Sequence, residues 1–309
     1  MSAGMASAGT AMSGVGRILF VGLGHMGEPM AARLVAHGFA VMVHDLRREL
    51  VERFVATRGA EAASSLGDAA ARASFVVTML PDDAAVRDAM LGRVVDAMPA
   101  QGIAIDMGTS SPSTTVAIAA RFAQCGKAYV DAPVMGGVPF ARDGTLDVMA
   151  GGDAAAIDRC VPLFDALGRR TWRCGASGSG HALKAIANFA NAATFVTLLE
   201  AMTIGRKFGL ETSFMADALE AMCSGRQHPL AKKIVPQVMT RRFGTGMALG
   251  LIAKDVGIAA DLGRAVGARS SIAEQTHALW QEAAERYGAM RDQAEVARLW
   301  EDAAGVELD

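Results

Sequence analysis

A glycine-rich stretch near the amino terminus has the spacing of a phosphate-binding turn. It matches the pattern G-x-G-x-x-G and comprises Gly22, Leu23, Gly24, His25, Met26 and Gly27. The stretch follows an apolar run at 17–21 that predicts a strand, and it opens a helix predicted over 26–37. The glycines permit a tight turn, backbone contact with a pyrophosphate and close helix packing, while the helix start offers free N–H groups. We expect these residues to bind a dinucleotide, and a plain strand–turn–helix connection is the alternative.

Asp45 comes at the end of the second predicted strand, near the offset at which a carboxylate binds the ribose of a dinucleotide. A carboxylate there accepts hydrogen bonds from both ribose hydroxyls and repels a 2′-phosphate. Asp45, with the neighbouring Leu46, therefore favours NAD as cofactor. Arg47 and Arg48 would tolerate the additional phosphate, so NADP stays open. The alternative role of Asp45 is to cap a helix.

Lys184 and Asn188 stand four residues apart at the start of a long predicted helix, so both point from one face of it. A buried lysine has a lowered pKa and can exchange a proton with a substrate hydroxyl. For Lys184 taken alone, the ordinary alternative is a side chain that extends along the helix into water.

The segment 131–138 follows a predicted strand, so it lies at the carboxyl edge of the sheet, where ligands bind in open α/β folds. Gly136 and Gly137 would expose backbone N–H groups that can hold a carboxylate. We expect these two glycines and Met135 to contact the substrate, and a simple glycine turn is the alternative.

The order of the predicted elements gives the fold that positions these residues. Continuous apolar runs alternate with helical patterns, which indicates a parallel sheet covered by helices on both faces. The runs lie at 17–21, 40–44, 75–80, 103–106 and 129–131, and two more at 146–150 and 171–173 would add edge strands.

From residue 181 onward the sequence shows only helical periodicity, beginning with a long helix at about 181–208. Breaks in this periodicity lie near Gly209, 225–229, 243–246 and Gly267. We therefore predict an α/β Rossmann-type domain over 17–179 and an all-α domain over 180–309 for substrate binding and oligomerisation, joined by the long helix.

The composition excludes several classes of protein. The chain has 309 residues, of which 51 % are hydrophobic and 20 % charged, so it can bury a core and is not intrinsically disordered. Its formal charge of −2 offers no general attraction to nucleic acid or to an anionic membrane. Its four cysteines and six histidines show no metal-ligand spacing. We predict no metal, no disulfide framework and a reducing, cytoplasmic location.

Two segments resemble targeting or membrane sequences only superficially. Residues 1–16 lack the charged and apolar stretches of a signal peptide and the arginines of a transit peptide, so we predict a flexible tail. Residues 186–204 are apolar enough for a membrane span. They contain Asn188, Asn191 and Glu200, however, so we predict a buried core helix of a soluble protein with no membrane partner.

Taken together, the motifs resemble those of the β-hydroxyacid dehydrogenase family, which includes 3-hydroxyisobutyrate dehydrogenase and tartronate semialdehyde reductase. The resemblance runs from Arg17 almost to the carboxyl terminus. It rests on five motifs in the right order, namely 22–31, Met79-Leu80-Pro81, 131–137, 178–188 and Lys254-Asp255-Val256.

The resemblance implies roles for individual residues. Lys184 would be the catalytic acid–base, with Asn188 beside it at the substrate. Lys254 would close the site from the helical domain. The residues that line the cofactor would include Met79, Leu80, Pro81 and Thr109. The family also implies a homodimer or homotetramer joined through the helices of the second domain.

The chain departs from the family pattern in two places. Met135 stands where family members usually have a serine that helps to hold the substrate carboxylate. Gly108 stands in the segment 106–109, where they usually read Asp-x-Ser-Thr. The substrate pocket is thus more apolar than is usual in the family, and a named substrate does not carry over.

From these residues we expect reversible, NAD- or NADP-dependent oxidation of a small 3-hydroxy acid to its semialdehyde or keto form. One alternative is a reductase of imines or of bulkier hydroxy compounds on the same fold, which Met135 keeps open. The other is a non-catalytic NAD(P)-binding regulatory protein. The intact pair Lys184 and Asn188 argues against that reading, because such a protein needs no proton donor.

Overall fold

The computed structural model describes residues 16–244 and 247–309. The chain divides into two compact units, one that ends at Phe189 and another over Ala190–Asp309. The predicted tail lies outside the described residues except for Gly16, and so do two residues of the predicted break at 243–246. The predicted domain boundary after residue 179 coincides with the start of the helix in which the division falls, and it stays a prediction.

A mixed sheet forms the centre of the first unit. Its nine strands are β1 (Ile18–Val21), β2 (Val41–His44), β3 (Glu61–Ala62), β4 (Phe75–Thr78), β5 (Ile103–Asp106), β6 (Ala128–Asp131), β7 (Val134–Met135), β8 (Leu146–Gly151) and β9 (Gly168–Gly175). The strand order is β3-β2-β1-β4-β5-β6-β8-β7, with β9 paired to β8. Strands β1 to β6 pair in parallel, whereas β8 runs antiparallel to β6 and β7.

The register of the parallel strands aligns their carboxyl ends. Val21 pairs with His44 on one side and with Thr78 on the other, and Asp106 pairs with Thr78 and Asp131. The segments that follow β1, β2, β4, β5 and β6 therefore emerge along the same edge of the sheet. This is the edge at which the sequence places the candidate site residues.

Helices cover both faces of the sheet. They are α1 (Gly27–Ala36), α2 (Arg48–Arg58), α3 (Leu66–Ala71), α4 (Asp83–Ala89), α5 (Val95–Ala97), α6 (Pro112–Gln124), α7 (Val138–Asp143) and α8 (Ala154–Leu167). Along β1, Ile18 and Phe20 pack in one buried cluster while Leu19 and Val21 pack in another. Because alternate side chains of a strand point to opposite faces, burial on both faces explains why these strands are continuously apolar.

Helix starts in this unit follow ordinary capping chemistry. The side chains of Ser65, Asp82, Ser111 and Asp153 each accept the backbone N–H of the residue three positions on, at the beginning of α3, α4, α6 and α8. A short polar side chain at this position satisfies one of the free N–H groups of the first turn. These helix boundaries are thus encoded locally.

The predicted Rossmann-type sheet is confirmed, with two differences. The strands β3 and β7 were not predicted, because a segment of two residues is too short to show a strand pattern in the sequence. The run at 146–150 forms β8, which is not an edge strand as predicted, since it pairs with β6, β7 and β9. An apolar run predicts a strand but not the strands beside it, because the strand order depends on how the connecting segments cross the sheet.

The second unit is helical, as predicted. Helix α9 (Ser179–Phe208) leads into it, followed by α10 (Thr212–Cys223), α11 (Leu249–Ala265), α12 (Ser271–Tyr287) and α13 (Arg298–Ala304). Shorter turns are a 3₁₀ turn at Gly225–Gln227, a π-helix at Leu230–Val238 and a 3₁₀ turn at Gln293–Ala297. Leu249, Ala283 and Leu299 form a small buried cluster within this unit.

The prediction that residues 186–204 form a buried core helix is wrong for this chain. In α9, Phe189 is 75 % exposed and Phe195 is 64 % exposed. Among the described helices, α9 alone is long and apolar enough to cross a membrane, and a single helix of this kind is a weak indication of one. The hydropathy of a helix shows that burying its apolar face is favourable, but it does not show whether that face is buried by the same chain or by a partner.

Candidate active site

The loops at the carboxyl edge of the sheet are joined by backbone hydrogen bonds. Gly22 N donates to His44 O at 2.8 Å, Met79 N donates to Val21 O at 2.9 Å, and Met107 N donates to Thr78 O at 2.9 Å. Each bond connects the residue after one strand with the end of its neighbour. The predicted cofactor residues after β1, β2, β4 and β5 are therefore brought together on one rigid frame.

The glycine motif forms a cradle that larger side chains would fill. Gly22 has a φ of +99°, and a Cβ atom there would overlap with the carbonyl oxygen of Met79. A Cβ atom at Gly27, the first residue of α1, would overlap with the carbonyl oxygen of Gly22. At Gly24 the nearest atom to a Cβ would be Arg47 Nη2, at 3.9 Å. Gly22 and Gly27 are therefore required for the backbone packing of the turn, whereas Gly24 leaves open space in front of the helix.

Asp45 directly follows β2 and joins the cradle to the second strand. Its Oδ2 accepts the backbone N–H of Leu23 at 2.8 Å, and its Oδ1 accepts the Nε of Arg47 at 3.2 Å. Burial raises the pKa of Asp45, but the hydrogen bonds from Arg47 and Leu23 outweigh it, so the pKa lies below its ordinary value. Asp45 is consequently an ionised acceptor held beside the glycine turn. The helix-cap alternative fails, because the residue before α2 is Arg47.

The other residues predicted for the cofactor differ in exposure. Thr109, His25 and Pro81 are exposed, and Met79 and Leu80 are half-buried. Leu80 packs against the buried cluster on one face of the sheet. Leu46 is 96 % exposed and has its apolar side chain in water.

Lys184 lies in the second turn of α9, where its ammonium group is half-buried. Nζ donates to Val134 O at 2.7 Å and lies 3.6 Å from Met135 Sδ. Burial lowers the pKa of Lys184 below its ordinary value. Asn188 is exposed one turn later on the same face of the helix. The structure thus makes Lys184 a base that deprotonates more easily than a lysine in water, rather than a side chain that extends to solvent.

The segment that contacts Lys184 continues into the predicted carboxylate-binding glycines. Gly136 is exposed with a φ of +137°, and Gly137 precedes α7. Met135 also borders a groove of about 650 Å³. The groove combines apolar side chains, among them Met149, Trp172 and Leu183, with the charged side chains of Asp147, Arg169 and Arg170.

A buried polar cluster that sequence reasoning missed anchors the start of α9. Asp106 and Asp131, at the ends of β5 and β6, and His181 are all 0 % exposed. Asp131 accepts the backbone N–H groups of Gly178 at 2.8 Å and His181 at 3.0 Å. Thr115 Oγ1 lies 2.7 Å from His181 Nδ1, while Nε2 lies 3.6 Å from Asp106 Oδ2. The aspartates that end two apolar strands were the available signal, since a charge there needs a partner.

This cluster fixes the helix that carries Lys184. Asp131, at the end of β6, accepts two backbone N–H groups at the start of α9, Asp106 lies beside the His181 ring, and Lys184 follows His181 by three residues. The position of Nζ against Val134 O therefore depends on the sheet rather than on a flexible loop. Such support from a rigid element is what a catalytic group requires.

Lys254 belongs to the second unit, where it lies in α11 and pairs with Asp255 at 3.1 Å. Its predicted role in closing the site stays a prediction. Within 16–244 and 247–309, no group of three or more His, Cys, Asp or Glu side chains is arranged to hold a metal ion.

The residues present fit a dinucleotide. The open space at Gly24, the first turn of α1 and the ionised Asp45 are the features that a pyrophosphate and a ribose require. The exposed guanidinium groups of Arg47 and Arg48 leave room for a 2′-phosphate as well.

Two family models match the chain in succession. One, described as the NAD binding domain of 6-phosphogluconate dehydrogenase, matches residues 17–176. The other, described as the NAD-binding of NADP-dependent 3-hydroxyisobutyrate dehydrogenase, matches residues 178–300. The two together span nearly all described residues, including the glycine cradle, Asp45 and Lys184.

Curated relatives match over almost their whole length. The 2-(hydroxymethyl)glutarate dehydrogenase of Eubacterium barkeri is 31 % identical and covers 94 % of this chain and 97 % of the relative. The NAD-dependent L-serine dehydrogenase of Pseudomonas aeruginosa is 33 % identical and covers 94 % of this chain and 99 % of the relative.

Solved structures share the fold. The 3-hydroxyisobutyrate dehydrogenase of Mycobacterium tuberculosis is 28 % identical with a TM-score of 0.65, over 92 % of this chain and 99 % of that one. An imine reductase of Myxococcus stipitatus has a TM-score of 0.84 over the same shares, but at 18 % identity it shows the fold alone. The chain therefore belongs to the β-hydroxyacid dehydrogenase family, as an NAD(P)-dependent oxidoreductase of the 3-hydroxyisobutyrate dehydrogenase type.

Proposed function

We propose that this protein reversibly oxidises a small 3-hydroxy acid to its semialdehyde or keto form, with Lys184 as the general acid–base. The observation that carries the proposal is the position of Lys184. Its Nζ is half-buried, has a lowered pKa, and is held by Val134 O at the end of the sheet that bears the dinucleotide cradle. A base with these properties is suited to accept the proton of a substrate hydroxyl.

The names of the relatives narrow the substrate class. L-serine, 3-hydroxyisobutyrate and 2-(hydroxymethyl)glutarate each carry a hydroxymethyl group on the carbon that bears a carboxylate. The substrate of this chain has the same unit. Its third substituent is apolar, because the thioether of Met135 stands in the position of a serine and lies 3.6 Å from Lys184 Nζ.

Each site residue has a distinct task in this reaction. When bound, NAD(P) supplies the acceptor of the hydride at its nicotinamide ring. Neutral Lys184 takes the hydroxyl proton during oxidation and returns it during reduction. Asn188 hydrogen-bonds the hydroxyl from the same helix face, and the backbone N–H groups of Gly136 and Gly137 bind the carboxylate. The loops at Leu80 and Thr109 complete the cofactor site.

Initial-rate measurements test this activity. We expect NAD-dependent turnover of L-serine, 3-hydroxyisobutyrate or a more apolar homologue, with kcat/KM about tenfold or more above that of the matching amide, because the amide lacks a charged group for the backbone donors. Comparable rates for acids and amides would contradict carboxylate binding at Gly136 and Gly137. A protein that binds NADH and oxidises no hydroxy acid would contradict the activity itself.

A second candidate function is the reduction of imines or bulkier hydroxy compounds. It is favoured by the thioether of Met135, which lies 3.6 Å from Lys184 Nζ where a carboxylate-binding serine is usual. Turnover of neutral amides, alcohols or imines in the same experiment, with acids inactive, supports this candidate.

Asp45 sets the preference between the two cofactors. We expect Asp45→Ala to lower kcat/KM with NAD by about 10- to 100-fold, the effect of losing hydrogen bonds to a charged acceptor. The same change frees Arg47 from its ion pair, so kcat/KM with NADP falls less or rises. Initial rates with both cofactors measure the ratio.

Asp158→Ala is a matched control, because Asp158 also pairs with an arginine, Arg173, on the surface of the same unit. It should leave the ratio unchanged. An unchanged ratio in Asp45→Ala would remove Asp45 from the ribose site.

The protein acts as a homodimer or homotetramer in the cytoplasm. Exposed apolar side chains of α9, among them Ile186, Phe189 and Phe195, support association through the helices. The four cysteines are free thiols, which is consistent with a reducing compartment.

A further inference from the structure

A cavity of about 470 Å³ lies within the second unit and has no role in the proposed reaction. Its walls come from the π-helical segment Leu230–Val238, the 3₁₀ turn Gln293–Ala297, α12, α13 and the chain end at Leu308. The volume falls in the range of small-molecule sites, about 300–1,000 Å³. None of the residues predicted for the cofactor or the substrate lines it.

Two tryptophans give the cavity its apolar character. Trp280, from α12, packs partly against the buried cluster of Leu249 and Leu299, and Trp300, from α13, is 54 % exposed. The remaining lining is mainly aliphatic and includes Ile234 and Val238. Covering apolar area with an apolar ligand is favourable because it removes that area from water. An apolar ligand body is therefore favoured here.

Two adjacent lysines give the cavity a positive side. Lys232 Nζ donates to Gln227 Oε1 at 2.6 Å, and Lys233 Nζ donates to Gln237 Oε1 at 3.3 Å. Within the described part of the chain, neither ammonium group forms an ion pair with a carboxylate. An ammonium group has three N–H donors, so both lysines keep donors for a ligand.

Two acidic residues that neighbour lining residues in the sequence pair with arginines rather than with these lysines. Glu295 pairs with Arg298 at 3.1 Å, and Glu301 pairs with Arg241 at 2.6 Å. These carboxylates are buried and already matched with arginines. Neither of these two carboxylates therefore pairs with Lys232 or Lys233.

The backbone that carries the lysines is itself unusual. Leu230–Val238 is a nine-residue π-helix that contains Pro236. Proline lacks the N–H that a regular helix needs, and π-helical turns are rare and frequent at functional sites. Both Lys232 and Lys233 of this segment line the cavity.

We propose that this cavity binds a small amphiphilic carboxylate. The apolar body, an aryl or alkyl chain, lies against Trp280 and Trp300, and the carboxylate is bound by Lys232 and Lys233. The site takes its ligand without chemical change and independently of the dinucleotide.

The placement of the tryptophans makes a direct test possible. The chain has three tryptophans, and the third, Trp172, lies in the first unit. In the Trp172→Phe variant, both remaining indoles line the cavity, so tryptophan fluorescence reports its occupancy. We expect 4-phenylbutyrate to change this fluorescence saturably. The neutral isostere 4-phenyl-1-butanol should bind about tenfold more weakly, since it loses a charge-assisted hydrogen bond.

Variants in the same background separate the two parts of the proposal. Lys232→Met with Lys233→Met should reduce the affinity for 4-phenylbutyrate to that for the alcohol, while Trp300→Ala should weaken both ligands. Lys207→Met, which removes an exposed lysine of α9, is the matched control and should change neither. Calorimetric titration provides a second readout that does not depend on fluorescence.

Several results would overturn the proposal. These are the absence of saturable binding, equal affinity for the acid and the alcohol, or an affinity that survives the double lysine substitution. Displacement of 4-phenylbutyrate by saturating NADH would show that the cavity belongs to the dinucleotide site. Persistence of binding with NADH present is the expected outcome. None of these results depends on whether the hydroxy-acid activity is found.

Discussion

The Lys184→Ala variant should lose about 10²- to 10⁴-fold in kcat for hydroxy-acid oxidation, the contribution of a positioned general acid–base. Its dissociation constant for NADH should stay unchanged, because the cradle at Gly22 to Gly27 and Asp45 remain intact. The physical reason is the half-buried amine at Val134 O, which alanine removes without filling the space. Steady-state rates and NADH fluorescence titration measure the two quantities separately.

The pH dependence of the wild-type enzyme provides a second readout. Burial lowers the pKa of Lys184, so the neutral amine is present at a lower pH than for an ordinary lysine, whose pKa is about 10.4. Oxidation requires the neutral amine, so its rate should fall as the pH decreases through this pKa. Reduction requires the ammonium form, so its rate should fall as the pH increases through the same value. Both limbs should disappear in Lys184→Ala.

Two further variants test whether Lys184 acts by proton transfer, by its positive charge alone or by stabilising the fold. Lys184→Arg keeps a positive charge and a donor for Val134 O but does not deprotonate, and it should be as inactive as Lys184→Ala. Lys127→Ala is the matched control, because Lys127 also donates its Nζ to a backbone carbonyl, that of Val95, away from the site. Activity retained in Lys184→Arg would contradict a role as a base.

The Gly24→Ala variant should fold normally and lose cofactor affinity by about 10- to 100-fold, the effect of losing one or two hydrogen bonds to a charged phosphate. A Cβ atom at Gly24 meets only Arg47 Nη2, at 3.9 Å, so the free protein accommodates it. The same methyl group occupies the space through which a pyrophosphate reaches the backbone. Thermal unfolding without ligand and the dissociation constant for NADH measure the two effects.

Two other glycines provide the comparison. Gly27→Ala places its Cβ on the carbonyl oxygen of Gly22 and should lower the unfolding temperature even without cofactor. Gly67→Ala, at a half-buried position of α3, meets only Arg93 O at 3.9 Å and has no strained φ, so it should affect neither stability adversely nor NADH binding. If Gly24→Ala bound NADH as tightly as the wild type, the pyrophosphate would have to lie elsewhere.

The parts of the site that depend on neighbouring residues in the sequence could be predicted from it. The turn from Gly22 to Gly27 is local, and so is the placement of Lys184 and Asn188 on one helix face. Most strands of the parallel sheet could also be predicted from the sequence, because a strand buried on both faces is a continuous apolar run. The order of the motifs then pointed to the family, which the comparisons confirm.

Contacts between distant segments could not be predicted in this way. The pairing of Asp106, Asp131 and His181 depends on two strand ends and a helix start that are far apart in the sequence but meet at one edge of the sheet. The pairing of β8 with three other strands also depends on contacts between distant segments. The lowered pKa of Lys184 does too, because its burial is produced by such contacts. Each reflects which segments the connections bring together, and periodicity carries no information about that.

The sequence by itself therefore determined most of the helices and strands, the glycine turn after β1 and the choice of Lys184 as the candidate acid–base residue. Only the tertiary structure decided that apolar side chains of α9 such as Phe189 stay exposed, and that Trp280, Trp300, Lys232 and Lys233 line one cavity. The reason is that side-chain chemistry and backbone preference are properties of single residues and short segments. Burial, ion pairing and desolvation depend instead on which segments, distant in the sequence, come into contact in the folded chain.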